Sequence, residues 1–481
     1  MSNSLLQAVY DSQNLKKTGE KLLDLISNHL EQTTSGKKSE TLVWNEPEKE
    51  LEFWKAFLNS GDTNDFFPEV LKRTTHTHHP KYIGHQVGVT APLTVLTGML
   101  SNLLNNGMAV YEMGMSPNAI ERIVVERLGE KFGYSDKVGG FLTSGGTLAN
   151  LTALLSARKA KVKHDVWNEG HTKPLAIMVC EEAHYCVDRA AKIMGLGEQG
   201  IVKVPARGDF TMEIEQMEAL YQKTIEKGIQ IFAIVGSAPS TATGAYDNLK
   251  AIGAFAQKND IWFHVDGAHG GAAIFSEKYK GLLEGTELSD SIVLDGHKMM
   301  MMPTITTALV FKNKIHAEHT FSLNADYLLD QTTEDEWYNS GRRTFECTKT
   351  MMCLHWFALL KFYGEELFDA YVTRQYDLAK DFAQLLKNHP QFELGTEPMS
   401  NILCFRWIAK GVEDKRLSAI NAQIRQQLLE EGEFYLVQTK LHGVQYLRTT
   451  LMNPFTEVKH LEQLLKKVTH MAEALEPNIS L

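Results

Sequence analysis

From about Val138 onward the sequence carries a regular rhythm of short apolar, β-branched runs, and this rhythm limits the fold more than any other feature. The runs are Gly139–Thr143, Leu175–Cys180, Ile201–Val204, Ile231–Val235, Ile261–Val265, Ser291–Leu294 and Thr307–Phe311. Most are followed by a stretch whose apolar residues have helical spacing. A strand that is apolar without alternation is buried on both faces, and strands alternating with helices form a mostly parallel sheet. The expected fold class is therefore α/β. In such sheets ligands bind outside the carboxyl ends of the strands, so function is sought in the polar and glycine residues just after each run.

The rest of the chain is arranged around this core. Leu5 to Leu30 reads as one amphipathic helix, Glu31 to Glu40 as a loop, and Glu48 to Leu58 as a second helix. Two helices are too few for a core, so they are expected to pack on the body or on another subunit. Beyond Tyr371 the pattern turns α+β, with Ile402–Trp407 and Tyr446–Thr449 as strands. The expected division is an N-terminal helical arm over 1–95, a large domain over 96–370 and a small α+β domain over 371–481. At 481 residues the chain exceeds what one compact core holds.

Charge and cysteine content exclude several roles. The balance of 49 Lys+Arg against 59 Asp+Glu gives −10, which leaves no electrostatic footprint for a nucleic-acid partner. Five cysteines, with no CxxC pair, fit buried thiols in a reducing compartment rather than a disulfide or zinc framework. Met1 to Asn14 is polar and unlike a signal peptide, and apolar runs such as Met299–Ile305 are far short of a membrane span. A cytoplasmic protein without a membrane or metal partner is expected.

Three strand ends carry groups with chemistry. The first, Thr143-Ser144-Gly145-Gly146-Thr147, runs into the helix pattern Leu148–Lys163. It is either an anion cradle at a helix start or a plain capped turn. The second, Asp266-Gly267-Ala268-His269, offers a carboxylate and then small residues that leave room for a flat ring. The third, Asp295-Gly296-His297-Lys298, offers an amine able to form a Schiff base. Singly, each has a bland structural reading. Together, an anion site, a carboxylate and a lysine are the set that pyridoxal phosphate needs.

On His79-Pro80, Thr143–Asn150, Glu182-Ala183-His184, Gly244–Leu249, His264–Gly271, Asp295–Lys298, Gly341-Arg342-Arg343 and Tyr446–Arg448, the sequence resembles the pyridoxal-phosphate-dependent group II amino-acid decarboxylases. That group includes glutamate, aromatic-amino-acid, histidine and diaminobutyrate decarboxylases. The resemblance implies a fold-type-I enzyme with pyridoxal 5'-phosphate as cofactor, acting as a homodimer with shared active sites on a small-molecule amino-acid substrate, whether acidic, diamino or aromatic. It implies that Lys298 carries the Schiff base and Asp266 holds the ring nitrogen protonated. Ala268 and His184 would flank the ring, His184 also orienting the substrate carboxylate. Gly145, Gly146, Thr147 and His297 would hold the phosphate, and Thr241 would lie near the ring hydroxyl.

For the substrate, Arg448 matches the arginine that holds the α-carboxylate, His85 would line the substrate pocket, and Tyr327 in Asn324–Leu328 resembles the lid tyrosine that protonates Cα. A tyrosine there favours amine formation over aldehyde. The expected reaction is decarboxylation of an L-amino acid to its amine and carbon dioxide. The alternatives are another fold-type-I reaction (aldehyde-forming synthase, lyase or aminotransferase) or a silent cofactor-binding protein. Gly296, Pro239-Ser240-Thr241 and His269 depart from the family's usual residues, and none removes a required group. Two motifs are set aside. Gly195–Gly200 spells GxGxxG but precedes a strand, the reverse of the dinucleotide context, and His76, His78, His79 and His85 lack metal-ligand spacing.

Overall fold

The computed structural model describes residues 2–321 and 337–476, with side chains from residue 4. The chain forms two compact units. One comprises Gln86–Ala383 and Thr396–Leu403, the other Met1–His85, Gln384–Gly395 and Cys404–Leu481.

The first unit is built on seven strands: β1 (Gly139–Thr143), β2 (Leu175–Cys180), β3 (Ile201–Val204), β4 (Gln230–Ser237), β5 (Trp262–Asp266), β6 (Ser291–Asp295) and β7 (Thr307–Phe311). They lie in the order β1-β7-β6-β5-β4-β2-β3. Only β7 runs against its neighbours, pairing antiparallel with both β1 and β6, so the sheet is mostly parallel as expected. Every residue of β2, β5, β6 and β7 is buried, which is why these strands read as continuous apolar runs. Helices Gly146–Lys161, Tyr185–Ile193, Ile214–Ile225 and Leu249–Lys258 connect successive strands from β1 to β5. Phe141, Leu154, Val187, Phe232, Trp262 and Phe311 are among the side chains of the core between helices and sheet. Full burial of an aliphatic or Phe side chain contributes about 1.5–3 kcal/mol.

Register decides where the strands end. Thr307 stands opposite Thr143 on one side and Asp295 on the other, while Asp266 stands opposite Val293 and Ser237. The carboxyl ends of β1, β6, β5 and β4 therefore share one rim.

In the second unit, β8 (Phe392–Leu394), β9 (Ile402–Trp407), β10 (Val437–Leu441) and β11 (Val444–Thr450) form a sheet in the order β10-β11-β9-β8. His442 and Gly443 join β10 to β11, both with positive φ (48° and 82°), the two-residue turn that matches the twist of paired strands. Helix Asp414–Glu431 packs on β11. The chain's first part enters this unit through backbone bonds: Thr41 N donates to Gly432 O at 2.7 Å, Ile83 N to Tyr435 O at 3.0 Å, and Thr450 N to Ile83 O at 2.7 Å.

The N-terminal helix differs from the expectation. It is two helices, Ser2–Val9 and Ser12–Thr34, broken where Asp11 turns extended and its side chain caps Gln13 N at 2.9 Å. The second helix then runs past Glu31 to Thr34, where the Thr33 and Thr34 hydroxyls donate back to the His29 and Leu30 carbonyls at 2.8 and 2.7 Å. The helix expected over Glu48–Leu58 spans Pro47–Ser60, with Pro47 in the first turn, where no N–H is needed.

Candidate active site

The rim of the seven-stranded sheet starts at β1. Gly145 has φ 98°, a conformation that a residue with a side chain rarely adopts, and this turn opens helix Gly146–Lys161. Gly146 is closely packed. A Cβ there would come within 3.0 Å of Asp295 Oδ2 and 3.4 Å of Ala268 Cβ, so the first, second and third strand ends meet at this glycine. Thr147 follows in the first helical turn. The preceding turn is held by Glu346, which accepts from Ser144 N at 3.0 Å, Ser144 Oγ at 2.7 Å and Thr143 Oγ1 at 2.8 Å. Burial works to raise the Glu346 pKa, but these bonds to the charged form leave it below its ordinary value.

Lys298 lies on the turn after β6. Its Nζ stands 2.9 Å from Asp295 Oδ2, and His297 Nε2 stands 3.6 Å from the same oxygen. Asp295 is nearly inaccessible, and its other oxygen accepts from Thr307 Oγ1 at 2.6 Å. Burial acts to lower the Lys298 pKa, yet the adjacent Asp295 carboxylate, and Asp266 beyond it, outweigh this and raise it. On β5, the buried Asp266 accepts from Ala268 N at 3.2 Å, which closes the turn around its own carboxylate. His184 caps helix Tyr185–Ile193, its Nδ1 accepting from Cys186 N at 3.4 Å. Burial holds the His184 pKa low, with Asp266 opposing, Lys298 lowering and Asp295 opposing it further. Its ring therefore sits within the field of all three charges.

Gly145, Gly146, Thr147, His184, Asp266, Ala268, His297 and Lys298 thus belong to one rim of one unit. Thr241 lies half-buried in the turn after β4. Arg448 and His85 belong to the other unit. Arg448 is buried on β11 opposite Val437, and burial draws its guanidinium below the ordinary value. His85 lies 5.6 Å from the Tyr435 ring, and burial followed by the charges of Arg448 and Arg425 lowers its pKa. Tyr327, with the whole stretch Asn324–Leu328, lies outside the described residues.

Two residues at the rim escape sequence reasoning. Asp295 was inside a motif yet carried no role, although it touches both Lys298 and His297. Glu346 is about 200 positions from Thr143, and only its nearness to Gly341-Arg342-Arg343 could have drawn attention to it. Of the set-aside motifs, Gly195 and Gly197 form the exit of helix Tyr185–Ile193, both with positive φ. His79 is held by backbone, at 3.0 Å from Lys38 O and 3.1 Å from Lys81 N. Among the described residues no group of three or more His, Cys, Asp or Glu is arranged for a metal, and no helix is long and apolar enough to cross a membrane.

The chain is similar to known proteins over most of its length. The family model described as the pyridoxal-dependent decarboxylase conserved domain matches residues 63–408. The chain is 27% identical over 427 residues to an L-2,4-diaminobutyrate decarboxylase of Acinetobacter baumannii, covering 85% of this chain and 83% of that protein. It is 26% identical over 478 residues to an aromatic-L-amino-acid decarboxylase of Bacillus atrophaeus, covering 96% of each. Among solved structures, the glutamate decarboxylase domain of a Vibrio parahaemolyticus diaminobutyrate-pyruvate transaminase and L-2,4-diaminobutyrate decarboxylase superposes with a TM-score of 0.81 at 26% identity, covering 94% of this chain and 96% of that one.

Proposed function

Since the chain belongs to the pyridoxal-dependent decarboxylase family, we propose that it converts an L-amino acid to the corresponding amine and carbon dioxide, with Lys298 as the residue that binds the cofactor and Tyr327 as the proton donor to Cα. The observation that carries this reading is the meeting of Gly146, Ala268 and Asp295 beside the Lys298 amine. Pyridoxal phosphate fits these residues: a side-chain-free helix start for the phosphate, a buried carboxylate at Asp266 for the ring nitrogen, and a lysine for the aldehyde.

Bound there, the cofactor supplies a ring that withdraws the electron pair of the bond from Cα to the carboxylate. The protein's part is to arrange and protect. Gly145, Gly146, Thr147 and His297 would hold the phosphate, with Thr241 near the ring hydroxyl. The buried Asp266 carboxyl would pair with the ring nitrogen and keep a proton on it. Ala268 leaves space at one side, and His184 would close the other. Asp295 pairs with Lys298 until the cofactor arrives, which keeps the amine at the rim instead of in solvent.

The substrate's α-carboxylate would be held by Arg448, with His85 at the side chain. That contact must not favour the ground state over the transition state, or the rate falls. Tyr327 would then deliver its hydroxyl proton to Cα. We read the protein further as a cytoplasmic homodimer. None of its five cysteines, all among the described residues, is in a disulfide, and several apolar side chains of the Pro92–Leu104 helix are exposed.

The test uses the reconstituted full chain. Lys298→Ala should lose both the visible absorbance of bound cofactor and carbon dioxide release, and retained turnover overturns the reading. Tyr327→Phe should shift product from amine toward aldehyde, and an unchanged ratio removes Tyr327 from this role. A panel of acidic, diamino and aromatic amino acids, scored by carbon dioxide release, assigns the substrate.

A further inference from the structure

Beneath the rim, five polar side chains form a continuous chain through an otherwise apolar layer. Trp262 Nε1 donates to Ser291 Oγ at 2.9 Å, and Ser291 Oγ lies 2.8 Å from His264 Nδ1. His264 Nε2 lies 2.7 Å from Asn150 Oδ1, and Asn150 Nδ2 donates to Cys186 Sγ at 3.4 Å. All five residues are at most 1% exposed. Their neighbours in this layer include Ala149, Leu154, Val187, Ala190 and Val293.

The hydrogens are accounted for along the chain. Asn150 Oδ1 can only accept, so His264 Nε2 carries the hydrogen and its Nδ1 accepts from the Ser291 hydroxyl. The Ser291 oxygen is then left to accept from Trp262. His264 is neutral in this arrangement. Burial pushes its pKa to about 4, with the Asp266 charge and the Ser291 bond opposing.

Two members of this chain reach the site from different elements. His264 precedes Asp266 by two residues on β5, so the two side chains leave the same face of the sheet. Cys186 is tied by its own N–H to the His184 ring, and the charges of Asp266, Lys298 and Asp295 all act on its thiol. Apolar residues of similar size would fill this space without the desolvation cost of buried polar groups. What a hydrogen-bonded chain adds is a fixed distance, which sliding apolar contacts do not enforce.

We propose that Asn150 and His264 are positioning residues for the cofactor, setting the separation between His184 and Asp266 through Cys186. The inference rests on the cofactor reading above. It concerns residues that the decarboxylation scheme leaves without a role.

The experiment compares apo and reconstituted full-length wild type, Asn150→Ala, His264→Gln and Ser291→Ala. Three quantities are read: dissociation constant for pyridoxal phosphate by equilibrium dialysis, induced circular dichroism of the bound cofactor in the visible, and thermal midpoint of the apoprotein. Asn150→Ala should weaken cofactor binding about tenfold, the scale on which supporting residues act on a ligand site, and should change the visible dichroism. His264→Gln keeps a donor toward Asn150 and Ser291→Ala clips only the far end, so both should stay within about threefold of wild type. If Asn150→Ala does not fold, Asn150→Ser, too short to reach Cys186, takes its place with the same expectation.

An Asn150→Ala protein with a lowered apoprotein midpoint but wild-type cofactor affinity and dichroism overturns the inference, since the chain is then core packing alone. A wild-type protein that takes up no cofactor overturns the family-based reading and this inference together. Uptake by wild type with unaltered Asn150→Ala binding overturns only the inference.

Discussion

His264 links a single proton to the stability of the fold. An unfolded histidine titrates near 6.5, whereas His264 in the folded protein is pushed down to about 4, so between these values the unfolded chain holds more protons. Stability from this residue is present at neutral pH and is lost as pH falls from the unfolded value toward the folded one. Between pH 7 and pH 5 the loss is about 2 kcal/mol. Asp247 acts in the opposite sense. Burial lifts it to about 6 despite bonds from Ser237 N and Met212 N, so the folded state takes up its proton first on acidification. The contribution of His264 is therefore isolated by difference. Urea melts of wild type and His264→Gln at pH 7 and pH 5 should show the variant losing about 2 kcal/mol less on acidification, and parallel losses contradict a neutral His264. At this scale the sequence was readable where a residue follows directly from a strand: Lys298 and Asp266 stand at strand ends, where ligand groups are sought. Asp295 was overlooked because its meaning comes from the Lys298 amine and Thr307 hydroxyl that touch it, and register rather than spacing brings Thr307 there.

The end of β1 shows how one element is fixed by a distant one. Lys349 and Glu121 form an ion pair at 2.6 Å with side chains only 2% and 5% exposed, and Lys349 Nζ also donates to Leu142 O at 2.7 Å. Three residues earlier, Glu346 grips Thr143 and Ser144. Removing one partner of a buried pair leaves an uncompensated charge, so Lys349→Met should destabilise by about 3–5 kcal/mol. Lys349→Met combined with Glu121→Leu should recover much of that loss. Denaturant midpoints check this, and a double variant no better than the single one removes charge burial as the cause. The strands of the large sheet are legible as apolar runs, most clearly β2, β5, β6 and β7, whose residues are all buried. β10, Val-Gln-Thr-Lys-Leu, is buried only at its ends, and β8 has three residues, so neither has a pattern distinct from a loop. The break at Asp11 was masked by the leucines that continue the helical spacing on both sides of it.

At the scale of the whole molecule, the most informative surface is apolar. On the Pro92–Leu104 helix, Val95, Leu96, Met99, Leu100, Leu103 and Leu104 are all exposed, a contiguous patch of a kind that soluble monomers rarely leave bare. A second copy of the chain is the occupant expected from the homodimer reading. Light scattering should give a dimer mass for the wild type, and Leu100→Asp with Leu103→Asp should give a monomer. A wild-type monomer at micromolar concentration contradicts the dimer.

The way the chain is shared between its two units has a consequence for the order in which a growing polypeptide can complete them. The unit holding β1–β7 draws nearly all its residues from one stretch, 86–383, and can close once that stretch has emerged. The other cannot. Thr41 is bonded to Gly432, Ile83 to Tyr435 and Thr450, and Asn453 Nδ2 to the carbonyls of Thr77 and His79 at 3.0 and 2.9 Å. Residues 41–83 therefore wait for their partners in 432–453 while the whole stretch that builds the β1–β7 unit is made between them.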